Sequence, residues 1–239
     1  MIRGKIEERK FYSTALDEEI TLLIYLPATF SPLYKYSLLI ASDGRDYFQL
    51  GRLSRVADEL LDEEKIENVI IVGVPYENVK DRRSKYHPEG TKFDAYMRFL
   101  AQELVPYLDA EFPTYQIGMG RGLIGDSLAG TISLMTASRY PHTFGKVILH
   151  SPYVNLKVME AVKKVPAHSF SVDHVIGLAE TDVPTGDGVN KNFLEENREL
   201  SLVFQEKGFQ YTYLEVDGNH TWKTWQKDMT RALHDNYTK

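Results

Sequence analysis

One stretch constrains this chain more than any other. It runs Gly122-Leu123-Ile124-Gly125-Asp126-Ser127-Leu128-Ala129-Gly130, an apolar run that ends on a serine between small residues and continues into a segment of helical character. A strand passing to a helix through so short a link must turn sharply, and the residues two before and two after the serine must then be small. Gly125 and Ala129 fill those places, so the G-x-S-x-G pattern is met at one end and relaxed at the other. Such a turn exposes the Ser127 hydroxyl as a nucleophile. The same residues also suit an ordinary strand-to-helix turn, so the role of Ser127 depends on what the rest of the chain supplies.

Around this stretch, short buried runs alternate with helical ones. Residues 36–42, 68–75, 120–126 and 145–150 are compact apolar segments, as strands covered on both faces of a parallel sheet must be. Residues 50–64 and 191–207 carry apolar side chains at helical spacing, and residues 128–140 read as the helix after the serine, with small residues Ala129, Gly130 and Ser133 toward the sheet. Residues 93–108 show an apolar helical face with Pro106 inside it, where a kink or an end to regular hydrogen bonding is expected. Residues 173–179 and 209–216 read as further strands, residues 221–234 as a last helix, and residues 5–13 and 19–27 as an opening hairpin. The prediction is an α/β fold, a mostly parallel sheet of about eight strands with helices on both faces, joined by right-handed crossovers. Two segments stand outside the alternation. Residues 76–90 are long, polar and charged, the kind of loop that tends to be functional, and residues 153–171 read as a mobile stretch that roofs the site.

With 239 residues, 43% of them hydrophobic and 26% charged, the chain can form one domain over residues 1–239. It has no cysteine, which excludes disulfides, a thiolate nucleophile and cysteine-based zinc sites. A net charge of −6 offers no footprint for nucleic acid or acidic lipid. No segment reads as a signal peptide or a membrane span, so a cytoplasmic location is expected.

A serine hydroxyl needs a histidine to take its proton and a carboxylate to orient that histidine. Six of the seven histidines follow Ser127, and only His220 lies in a turn, Gly218-Asn219-His220, directly between a predicted last strand and a helix. It is the candidate base. For the acid, the strand over residues 173–179 leads into Glu180-Thr181-Asp182, and Asp182 is the choice, with Glu180 its main rival and Asp187 and Asp217 less well placed. An oxyanion hole needs the amide after the nucleophile, Leu128, and one from the loop after the third strand, best given by Arg45 beside Gly44. No histidine spacing argues for a metal, and the chemistry needs neither metal nor cofactor.

Several segments together resemble the putative-esterase family of α/β-hydrolases, which includes enterobactin-type siderophore esterases, feruloyl and acetyl-xylan esterases, esterase D and mycolyltransferases. Ser42-Asp43-Gly44-Arg45 resembles the family's loop after the third strand, and the stretch from Arg82 to Pro88 its Arg-rich segment. Phe99-Leu100-Ala101-Gln102-Glu103-Leu104-Val105-Pro106 is similar to F-L-x-x-E-L-x-P, and His150-Ser151-Pro152 resembles the S-P that follows the next strand. Gly218-Asn219-His220-Thr221-Trp222-Lys223-Thr224-Trp225 resembles G-x-H-x-W-x-x-W, in which the histidine is the base. Ala129, where family members commonly carry glycine, is the departure. The resemblance implies an α/β-hydrolase fold and a serine esterase acting on a small-molecule ester, such as a siderophore or small acyl ester. Arg82, Arg83, Tyr153 and Trp222 would bind substrate, the arginines suiting an anionic or catecholate ligand. An acyltransferase using the same residues and a non-catalytic binding protein on the same fold are the alternatives, and a homodimer stays open.

Overall fold

The computed structural model describes residues 2–186 and 188–239. Its strands are β1 (Lys5–Ser13), β2 (Glu18–Leu26), β3 (Ser37–Ser42), β4 (Val69–Val74), β5 (Arg121–Asp126), β6 (Lys146–His150), β7 (Ser171–Gly177), β8 (Val183–Pro184), β9 (Asn190–Lys191) and β10 (Tyr211–Val216). Eight of them form one sheet in the order β1-β2-β4-β3-β5-β6-β7-β10, while β8 and β9 make a small separate hairpin. β2 pairs antiparallel with β1 and β4; every other pairing in the large sheet is parallel. The mostly parallel eight-stranded sheet expected from the sequence is present.

The helices are α1 (Gly44–Gln49), α2 (Leu53–Asp62), α3 (Val79–Tyr86), α4 (Phe93–Arg98), α5 (Val105–Glu111), α6 (Ser127–Arg139), α7 (Leu156–Lys164), α8 (Phe193–Glu206) and α9 (Trp222–Tyr237). They cover both faces of the sheet. Leu38, Ile40, Ile70 and Val72 point into a core shared with α4 to α8. Their strand neighbours Leu39, Ala41, Val69 and Ile71 point into a second core built with α1, α2 and α9. Because side chains alternate along a strand, two apolar cores require runs in which nearly every residue is apolar, and this is the pattern that made β3 and β4 readable. β1 lies at an edge and carries Glu7, Glu8, Arg9 and Lys10, charges that discourage further strand pairing.

Pro106 does not simply kink a regular helix. A π-helical segment, Phe99–Leu104, joins α4 to α5, and Pro106 falls in the first turn of α5. A proline offers no amide and crowds the carbonyl one turn back, so a locally wider helix absorbs the misfit while Phe99, Leu100, Leu104 and Leu108 stay fully buried.

Two other expectations are corrected. The long segment over residues 76–90 contains α3, whose first turn is capped by Asn78 accepting from the Asp81 amide at 3.0 Å. Residues 153–171 hold α7, capped by Asn155 and anchored by Val158 and Val162, both fully buried. Beyond Tyr153, which borders the site, α7 is packed against the core. Among the described residues, no helix is long and apolar enough to cross a membrane.

Candidate functional site

The carboxyl ends of β3, β5, β7 and β10 lie along one edge of the sheet, and in a parallel sheet the loops leaving that edge form the natural crevice. Ser127 stands there, at the first position of α6, with a φ of 49°. A non-glycine residue in this left-handed region is strained, and the surrounding packing must hold it. Gly125 shows why the turn is so tight. A Cβ at that position would meet the Ala129 carbonyl oxygen at 2.1 Å, so only glycine fits. Ala129 itself is fully buried in the core, where its methyl group is accommodated.

His220, in the turn after β10, reaches the serine: its Nε2 lies 2.9 Å from Ser127 Oγ. Its Nδ1 lies 2.6 Å from Glu180 Oε2. With the proton on Nδ1, the imidazole donates to the carboxylate and accepts from the serine hydroxyl, the arrangement a general base requires. The ring is held between Phe193 and Trp225, with centroids 4.5 and 5.0 Å away.

The acid is where sequence reading and structure part. Asp182 is exposed in the turn leading to β8, and Asp217 is exposed as well. Asp187 lies outside the described residues. Glu180 occupies the place expected of Asp182. It is fully buried, and its Oε1 accepts from the Gly177 amide at 2.9 Å and the Ser151 hydroxyl at 2.6 Å. The turn after β7 folds back on itself, with the Glu180 amide donating to Gly177 O, so the third residue beyond the strand points inward and the fifth points out.

Leu128 is the second residue of α6 and Arg45 the second of α1, and neither helix start carries a side-chain cap. Their first-turn amides have no partner within their own helices. The Arg45 side chain itself turns away. It lines a separate cavity with Glu18, Glu19, Tyr76 and Lys85.

Arg82, from α3, is largely consumed by the protein. Its Nε donates to both Asp43 oxygens at 3.0 and 2.8 Å, and its Nη2 to Asp43 Oδ2 at 2.5 Å. The same nitrogen lies 3.4 Å from the Asp126 carbonyl and 3.7 Å from Asp126 Oδ2. Burial works against the Arg82 cation, and the Asp43 carboxylate outweighs it, so the guanidinium holds its proton more tightly than usual. Burial pushes the Asp126 carboxyl well above the usual range and the nearby Asp43 charge adds to the rise, while Asp126 Oδ1 is buried without a hydrogen-bond partner. One arginine thus lies beside two buried carboxyl groups, both raised chiefly by burial. Arg83 is engaged as well.

In front of the serine lies a cavity of about 350 Å³. Tyr153, Phe193, Trp222 and Trp225 form apolar walls, Tyr76, Asp46, Arg82 and Arg83 a polar one, and Val79 with Pro184, Thr185 and Gly186 the rim. All four residues expected to bind substrate, Arg82, Arg83, Tyr153 and Trp222, border this space. Sequence reading missed Asp43, Asp126, Tyr76 and Phe193 as its neighbours; only the Asp-Gly pair after β3 hinted at Asp43. Among the described residues, no group of three or more His, Asp or Glu side chains is arranged to hold a metal ion.

Comparison with known proteins gives this geometry a context. The model of the family described as "Putative esterase" matches residues 13–236. An uncharacterized protein of Bacillus subtilis strain 168, YjcH, is 54% identical over 231 residues, which are 96% of each chain. Among solved structures, a ferulic acid esterase aligns over 99% of both chains with a TM-score of 0.78 at 16% identity. The BES protein of Bacillus cereus aligns over 100% of this chain and 98% of its own, with a TM-score of 0.79 at 18% identity. The enterobactin esterase FES of Shigella flexneri reaches a TM-score of 0.82 at 17% identity, and the chain spans 58% of its length. At these identities the structural likenesses establish the α/β-hydrolase fold.

Proposed function

The chain belongs to the family of "Putative esterase" proteins, and we propose that it is a serine hydrolase that cleaves carboxylic esters through an acyl-enzyme intermediate. The observation that carries this reading is the unbroken line from Glu180 Oε2 through His220 to Ser127 Oγ, at 2.6 and 2.9 Å, ending on a serine whose backbone is strained to present it.

In this mechanism Ser127 Oγ attacks the ester carbonyl while His220 Nε2 takes its proton. The amides of Leu128 and Arg45 donate to the developing oxyanion, and the imidazolium is held by Glu180. The oxyanion collapses, the alkoxide leaves with the proton returned by His220, and water admitted to the same histidine repeats the sequence to free the acid. The aromatic walls and the size of the cavity suit a small ester with an apolar or aromatic part. Solved neighbours whose names refer to ferulic acid and enterobactin fit the same class.

The test pairs a chemical and a kinetic readout. A fluorophosphonate probe should label the wild type at Ser127, and Ser127→Ala should abolish labelling and lower kcat on a p-nitrophenyl ester by about 10⁴-fold or more. A correctly folded wild-type protein that neither takes the label nor turns over any ester would make it a binding protein on an esterase fold.

A further inference from the structure

Two polar groups have no step in the proposed reaction: the hydroxyl of Ser151 in His150-Ser151-Pro152 and the indole N–H of Trp225. The structure brings them together behind the acid. Trp225 Nε1 donates to Ser151 Oγ at 2.9 Å, and Ser151 Oγ lies 2.6 Å from Glu180 Oε1. All three side chains are buried, Ser151 and Glu180 completely.

The direction of these bonds is fixed by chemistry. An indole N–H can only donate, so Ser151 Oγ accepts from Trp225 and its single proton goes to the carboxylate. Accepting one bond polarises the hydroxyl toward giving the next. Glu180 Oε1 therefore receives two donors, Ser151 and the Gly177 amide, which leaves Oε2 aimed at His220. Ser151 achieves this at a backbone cost. Its φ is 49°, the same left-handed region as the nucleophile, and its amide is pinned to Val175 O at 2.7 Å just as the chain leaves β6. Strain at a buried serine that touches the acid points to a role there. Trp225 is tied to both partners at once, since it also packs edge-on against the His220 ring.

We infer that Ser151 and Trp225 are positioning residues: a donor relay from indole to hydroxyl to carboxylate keeps the Glu180 carboxylate turned toward His220. This rests on the esterase reading, in which Glu180 steadies the imidazolium. Ser151 is fully buried behind Glu180 and does not border the cavity, so loss of the relay at Ser151 lowers kcat and leaves KM in place.

Ser151→Ala removes the donor and keeps the Cβ; Ser151→Gly removes the donor and relaxes the backbone. Both should lower kcat roughly 10-fold to 100-fold, with KM unchanged. The acid limb of the kcat/KM profile should move to lower pH, because the imidazolium is less well held by its carboxylate. Trp225→Phe keeps an aromatic wall but removes the indole donor; it should give a smaller loss of kcat, with KM free to change because Trp225 also lines the cavity. Combining it with Ser151→Ala should add little further loss of kcat, because both break one relay. Full activity in Ser151→Gly would show that the residue serves only the backbone, and an unmoved acid limb in Ser151→Ala would overturn the relay. The relay also has a readout independent of turnover. The downfield proton resonance of the His220 Nδ1–H shared with Glu180 should shift upfield in Ser151→Ala; an unshifted signal overturns the relay even if wild type hydrolyses no ester, the outcome that defeats the esterase reading alone.

Discussion

Glu180 faces His220 because a tight turn points its third residue inward and because a glutamate is one methylene longer than an aspartate. The Glu180 amide returns to Gly177 O, and a Cβ at Gly177 would come within 2.7 Å of Glu180 Oε1, so the carboxylate occupies space that only glycine leaves open. The sequence showed an acid in this turn but not which of two, since both lie just past a strand and only backbone direction separates them. His220 and Ser127 were readable because each sits at a strand-to-helix junction whose small neighbours are themselves a signal. The contrast gives a direct experiment. Glu180→Gln, which offers Nδ1 a mis-set partner, should cost on the order of 10⁴ in kcat, the scale seen when a triad acid becomes an amide. Asp182→Asn is exposed and should stay within about twofold of wild type. A large loss in Asp182→Asn with Glu180→Gln spared, measured on one p-nitrophenyl ester, would return the acid to Asp182.

α3 is the element that sequence periodicity could not find. Val79–Tyr86 reads VKDRRSKY, without the apolar stripe that marks a helix lying on a core. What holds it is polar: the Asn78 cap, the ion pairs of Lys85 with Glu18 and Asp81, and the Arg82 clasp on Asp43. The fully buried Tyr86 ring adds the apolar anchor. The helix brings Arg82 to the junction between the β3 loop and the serine turn, bonded to Asp43 on one side and close to the Asp126 carbonyl on the other. An arginine engaged in this way has less of its charge to offer an anionic substrate. Arg82→Ala leaves Asp43 buried without its cation, a change that typically costs about 3–5 kcal/mol of stability. It should lower kcat/KM for neutral and anionic esters by similar factors. Selective loss on anionic esters, with neutral ones spared, would restore Arg82 as a substrate-binding group. The mainly parallel sheet was legible for the opposite reason: two apolar cores force apolar runs, whereas a helix held by ion pairs leaves no periodic trace.

Across the whole molecule, buried titrating groups on two sides of the sheet act against each other. His174 is fully buried between Asn197 Oδ1 at 2.7 Å and the Tyr211 hydroxyl at 2.8 Å, and burial lowers it from 6.5 to about 4. Between these values the unfolded chain binds a proton that the folded one refuses. Stability from this group is therefore complete above pH 6.5 and falls as pH drops toward 4, by about 3 kcal/mol in all. Asp126 has the reverse sign. Its folded value is raised above 3.8, chiefly by burial and then by Asp43, so its contribution is present below pH 3.8 and is lost as pH rises toward the folded value. Asp43, also raised by burial, adds to the same trend. Between pH 4 and 6.5 the two slopes oppose, and the wild-type stability profile should be flatter than either would make it. Single substitutions separate them. His174→Gln removes the rising arm, so unfolding free energy from urea titrations should fall steadily as pH increases across this window. Asp126→Asn keeps the shape beside Ser127 without a titrating group, so the slope should turn positive and stability at pH 7 should rise. The sign of each slope is independent of how well the new side chain packs, and slopes unchanged in both variants would mean that these two groups do not set the pH response of the fold.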